Sequence, residues 1–177
     1  MSTHGRIGVE LPDGRVHSIY LGHDAYLSHT KPLLLGHYES QAKVIALIAL
    51  GDLSGLGPEL TGETDAYHRD HGEPLEDVKA DEHENAQAFW SAAEEFYVFL
   101  FTRQEHAAKR TREAELLAFA LDVVDGVIAS YGESARPSWY TEARVLAPKV
   151  PPASRWLVSV RDAEPVSLLD AGEPAED

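Results

Sequence analysis

Apolar and polar residues alternate over residues 6–10 and again over 15–21, on either side of Leu11-Pro12-Asp13-Gly14. Two β-rich runs joined through an Asp-Gly step predict an antiparallel hairpin. In its second strand Val16, Ser18 and Tyr20 face one way, and His17, Ile19 and Leu21 the other. Residues 22–31 show no period and are expected to be loop. Pro32 suits the first turn of a short helix carrying Leu33, Leu34 and His37. Ser40 is placed to cap a second helix over 41–50, with Val44, Ile45, Leu47 and Ile48 as its buried stripe and Gly51 as its stop. The glycine-rich stretch 51–63 is expected to be loop, and 64–68 a third short strand. Acidic residues Glu76, Asp77, Asp81, Glu82 and Glu84 precede an expected helix around 83–93, at the positive end of its dipole.

Phe96-Tyr97-Val98-Phe99-Leu100-Phe101 fits either period, but its aromatic and β-branched density favours a buried strand. The longest helical pattern covers 104–131. Leu116, Leu117, Ala120, Leu121, Val124, Val127, Ile128 and Tyr131 recur at three- and four-residue spacing, Phe119 and Val123 widen that stripe, and Gly132 ends it. A helix apolar on more than one side is usually covered on more than one side, which predicts self-association, most simply as a twofold dimer. Four prolines between 132 and 153 predict an irregular connection. Residues 156–160 and 166–169 then form a closing hairpin, and the acid-rich tail from Asp170 is expected to be disordered. The expected fold is α+β: a small antiparallel sheet with helices packed on one side and one long helix near 104–131. Residues 1–101 would form the core, 102–169 an addition in the same domain, and 170–177 the tail.

A chain of 177 residues is normally one domain, able to bury roughly two-thirds of its unfolded surface. It contains no cysteine, which excludes disulfides, thiolate nucleophiles and cysteine-bound zinc. No apolar run reaches the length of a membrane span, and no apolar core follows the N-terminus, so neither membrane insertion nor export is expected, and the cytoplasm is the expected location. The formal net charge is −15, spread along the chain. A field of that sign opposes direct contact with nucleic acid, which needs a basic footprint. It serves solubility first, and it also suits competition for a basic, nucleic-acid-binding protein partner.

Chemistry-bearing side chains concentrate in two blocks. Gly22-His23-Asp24-Ala25-Tyr26 is the first, and Tyr67-His68-Arg69-Asp70-His71-Gly72-Glu73 is the second and denser. Histidine titrates near neutrality and is the commonest metal ligand, so His23, Asp24, Tyr26, Tyr67, His68, Arg69, Asp70, His71 and Glu73 are the candidate ligand-binding residues. His23, His68, Asp70 and His71 are the candidates for a divalent metal, with Arg69 as a phosphate clamp on a nucleotide-like substrate. The competing expectation is a local ion-pair and turn network in which the same residues hold the backbone. No Gly-x-Ser-x-Gly elbow, P-loop or His-Glu-x-x-His pattern is present, no cofactor is expected, and no catalytic residue is assigned. Trp139-Tyr140 beside Pro137, and Leu117 and Val124 on the long helix, are the candidate partner-binding residues.

Ser18-Ile19-Tyr20-Leu21-Gly22-His23-Asp24-Ala25-Tyr26, Leu33-Leu34-Leu35-Gly36-His37-Tyr38, the run from Ile48 to Gly57, Ala66 to Glu73, and Glu95 to Phe101 together resemble a family of small proteins encoded by tailed bacteriophages and prophages. The likeness covers about residues 5–101, with five blocks in the family's order. The family has no assigned activity, so the resemblance implies an origin and no mechanism. This sequence departs from the family at Ala25, where a glycine is usual, and at His23, where an aromatic residue often stands. It also adds residues beyond the aromatic strand, where the family tends to end in a short hairpin. The expectation that follows is a phage-encoded accessory protein in the cytoplasm of an infected bacterial host. It would bind and modulate, most simply inhibit, a host or phage macromolecular complex such as a defence system. The alternatives are a small metal- or nucleotide-binding enzyme or sequestrant using the two blocks, and a virion or assembly component.

Overall fold

The computed structural model describes residues 3–103, 112–146 and 155–174, without the side chains of 112–118 and 145–146. The hairpin forms as its alternation requires: β1 (Gly5–Glu10) pairs antiparallel with β2 (Val16–Leu21), Ile7 opposite Ile19. Helix α1 spans Leu27–His37 and α2 Gln41–Ile48, followed by strands β3 (Leu53–Gly55) and β4 (Asp65–Ala66). Short helices α3 (Tyr67–His71) and α4 (Leu75–Val78) come next, then β5 (Asp81–His83), α5 (Ala86–Ala92) and β6 (Tyr97–Phe101). Beyond these lie α6 (Arg112–Tyr131), α7 (Tyr140–Leu146), β7 (Trp156–Val160) and β8 (Val166–Ser167).

The class is α+β, as expected, but the sheet is larger and mixed. Among the described residues it has eight strands in the order β4-β3-β2-β1-β6-β7-β8, with β5 also on β2. The pairs β1–β6 and β2–β3 are parallel. One face carries the main core: Ile7, Ile19, Phe99 and Val158 lie in register across four strands, under Leu34 of α1 and Val44, Leu47 and Ile48 of α2. The other face is covered more thinly by Phe89 of α5 on Val16, Val98 and Leu100. Helices thus sit on both faces, and not on one side as expected, with the larger layer formed by α1 and α2. Gly8 permits the second layer, since a Cβ there would lie 3.0 Å from the Phe89 ring.

Several local expectations shift. Ser40 does cap α2, its side chain accepting the Lys43 N–H, but Ile45 lies on the exposed side of the helix. Helix α1 starts five residues before Pro32 and contains it, because Leu27 and Thr30 are buried without forming a clear apolar period. Asp81 and Glu82 lie in β5 and not at a helix terminus, and α5 is capped by Asn85 instead.

The chain divides into two compact units, Met1–Ala108 with Ser154–Asp177, and Lys109–Ala153. The stretch 102–169 is shared between the units: its closing hairpin extends the core sheet, β7 pairing antiparallel with β6, while 109–153 form the second unit. The start of the tail is not loose. Lys31 Nζ donates to the carbonyls of Leu169 and Ala171, both at 2.8 Å, and the Glu173 carboxylate accepts from Ser28 N–H and from Tyr97 Oη. Burial, and then that carboxylate, push the Tyr97 phenol up to about 12. In the second unit, Leu121 is the buried residue of α6 among those whose side chains are described.

Candidate functional site

Strand pairing carries the two histidine-bearing blocks to one place. Leu21, Leu53 and Ala66 align across β2, β3 and β4; β3 runs parallel to β2 and β4 antiparallel to β3, so the two blocks begin at one level of the sheet and leave it in opposite directions. The Tyr67 side chain nevertheless reaches Gly22, where a Cβ would stand 2.5 Å from its hydroxyl. Glycine at 22 is what lets the second block close on the first. Gly22→Ala is expected to cost about 1 kcal/mol in urea denaturation, because the ring must swing away, and Tyr67→Phe in the same chain should restore most of it. Equal losses with and without the Tyr67 hydroxyl would show that the two blocks do not meet.

Of the strand expected over 64–68 only Asp65–Ala66 forms, as β4, and the second block continues as the helix α3. The Asp70 carboxylate accepts from Ala66 N–H at 2.8 Å, tying down the first turn of α3, and Gly72 in the left-handed conformation ends the helix. Arg69 donates from Nε and Nη2 to both oxygens of Asp70, from Nη1 to Leu60 O at 2.5 Å, and from Nη2 to Thr64 O. That hydrogen bonding to Arg69, with the Ala66 N–H, holds the Asp70 carboxyl down at about 2. The guanidinium is thus engaged with a carboxylate and two backbone carbonyls, and it fastens α3 to the loop before β4.

The imidazoles are engaged separately. His23 Nδ1 lies 3.0 Å from Ser54 O, His68 Nδ1 2.7 Å from Glu73 O, and His71 Nε2 2.8 Å from Asp65 Oδ1. Asp24 adopts φ 57°, and its carbonyl accepts from Thr30 Oγ1. Tyr26 is partly exposed beside His29, their ring centroids 5.8 Å apart. Among the described residues no three histidine or carboxylate side chains stand where they could share a metal ion. One nitrogen of each imidazole is engaged with backbone or a carboxylate: His68 and His71 bridge residues five and six apart, and His23 reaches across to β3.

A second polar cluster, which the pattern of histidines did not indicate, lies on the thinly covered sheet face. Arg6 and Tyr20 are register partners there, as are Gly8 and Ser18. Arg6 Nε donates to Glu95 at 2.8 Å, and its Nη1 to Asp81 at 2.6 Å and to Ser18 Oγ at 3.2 Å. Ser18 Oγ is 2.8 Å from His83 Nε2. Burial alone would lower the Arg6 pKa, but the hydrogen bonds and charges of Asp81 and Glu95 outweigh it and hold the guanidinium above its ordinary value. Burial lowers the His83 pKa, and the Arg6 charge adds to that. Ser18 is fully buried, so the Ser18–His83 pair is a structural contact and not an activated nucleophile facing substrate. Beside it Asp52 accepts the Tyr20 N–H at 2.8 Å, filling the gap on β2 between its partners β3 and β5, and desolvation raises this carboxyl's pKa. The usable signal was the acidic run 76–84 facing an arginine on a strand.

The partner-binding candidates separate. Trp139 is exposed, but Tyr140 is buried and donates its hydroxyl to Asp125, which also pairs with Arg144 at 2.5 Å. Tyr140 is thereby a packing residue between α6 and α7. Val124 is half-buried, and the Leu117 side chain lies outside the described residues. No helix among the described residues is long and apolar enough to cross a membrane. No protein-family model, no curated protein and no solved structure matches this chain.

Proposed function

We propose that this chain is an accessory interaction protein that binds a protein partner through α6. In keeping with its resemblance to phage-encoded proteins, it would modulate a host or phage macromolecular complex. One observation carries this reading: Phe119, Val123, Val127 and Tyr131 form a row at four-residue spacing along α6, and all four are exposed, Phe119 to 68% and Tyr131 to 77%. Residues four apart are surface neighbours on a helix, so the row is one continuous apolar ridge, the kind of surface that marks an interaction site. The net charge of −15 adds electrostatic attraction to a basic partner. The reading as an enzyme or sequestrant is weakened by Arg69, His23, His68 and His71 all being engaged in local contacts.

A photo-crosslinking residue at position 123, in the full chain expressed in its host, tests the proposal. The expected product is one defined heterologous adduct, absent when the same residue is placed at 142 on α7 and lost in Phe119→Glu/Tyr131→Glu. Adducts only of twice the chain mass would replace the proposal with self-association. No adduct at 123 would overturn it.

A further inference from the structure

A groove of about 220 Å³ opens on the thinly covered face of the core sheet, within the first unit. Its floor is Val98 and Ser159, register partners on β6 and β7. One wall is Trp90 of α5, and the other is the turn through Asp162 and Glu164. The turn is tight: Arg161 and Asp162 both have positive φ, 51° and 61°, and Ala163 N–H donates to Val160 O. Ser159 Oγ donates to Ala163 O at 2.7 Å and fastens the turn to the floor. The Asp162 and Glu164 carboxylates are exposed at the groove and have no ion-pair partner among the described residues.

We infer that this groove receives an arginine side chain from a basic protein partner, the guanidinium lying against the Trp90 indole and pairing with Asp162 and Glu164. The volume is below the roughly 300–1,000 Å³ of small-molecule sites, so it suits one long side chain and not a nucleotide. An aromatic wall facing two unpaired carboxylates is complementary to a cation, and a planar guanidinium can stack on an indole while forking to a carboxylate, which an ammonium cannot. The chain's negative field raises the local concentration of such groups. Only the source of the arginine rests on the proposed function; the groove is lined by residues of the first unit, whereas α6 belongs to the second.

The test is titration of the full ¹⁵N-labelled chain with N-acetyl-arginine amide, followed on the Trp90 indole N–H and the backbone amides of Asp162 and Ala163. Saturable shifts in the millimolar range are expected, weakened several-fold by high salt and absent with the neutral isostere N-acetyl-citrulline amide. Asp162→Asn/Glu164→Gln, both exposed, should abolish them while leaving the rest of the spectrum unchanged. No saturation by about 50 mM, equal shifts with citrulline, equal affinity for N-acetyl-lysine amide, or shifts that survive the double substitution would each overturn the assignment. Because the titration reads residues of the first unit and the crosslink is made from α6, failure here leaves the crosslinking result at 123 standing, and the reverse also holds.

Discussion

Trp156→Ala is expected to destabilise the core unit by about 4 kcal/mol, near the upper part of the range for deleting a buried tryptophan. The side chain is almost wholly buried, meets Phe101 edge-on at 5.1 Å between centroids, and donates its indole N–H to Tyr38 O at 2.9 Å. Removing it opens a large cavity and leaves the Tyr38 carbonyl buried without that donor, and both effects act in the same direction. Trp156→Phe keeps much of the burial but loses the hydrogen bond, so a loss of about 1–2 kcal/mol is expected for it. Urea denaturation followed by circular dichroism measures both. A loss under about 1 kcal/mol for the alanine variant would mean that β7 is not part of the cooperative core. The Trp156 result therefore also tests whether the closing hairpin belongs to the core unit.

Arg6→Met is expected to cost about 3 kcal/mol. The guanidinium side chain is 17% exposed and that of Glu95 12%, so removing the cation strands a nearly buried carboxylate. Breaking a fully buried pair costs about 3–5 kcal/mol, and the low end applies because Asp81, at 62% exposure, is screened by solvent and contributes little. Adding Glu95→Gln should recover about half of the loss, since the stranded charge disappears. The same urea series, repeated at high salt, should leave the Arg6→Met loss nearly unchanged, because partly buried pairs are weakly screened. Full additivity of the two substitutions would refute the pairing.

The sequence alone established what depends on near neighbours along the chain. The β1–β2 hairpin follows from alternation around Asp13-Gly14, the Ser40 cap and the α2 stripe from helical spacing, and β6 from aromatic density that ends buried throughout. The closing hairpin over 156–167 was also readable locally. The two polar blocks were conspicuous in composition, yet composition could not say that Arg69 turns inward on Asp70 and two carbonyls.

Tertiary structure decided everything set by partners far apart in sequence. Alternation cannot choose a neighbour, so neither the parallel pairing of β1 with β6 nor the docking of β7 on β6 could be read from it. The same holds for the Arg6 network, whose members at 18, 81, 83 and 95 converge only because β5 closes one edge of β2 and the chain enters β6 beside β1. The docked residues 170–174 make the point from the opposite direction. Their composition predicts disorder, but Lys31 and Tyr97 supply the hydrogen bonds that order them. Periodicity and capping act over a few residues and are written in the chain. Register partners, ion pairs and buried hydrogen bonds depend on which surfaces the folded strands bring together, and that is a property of the whole sheet.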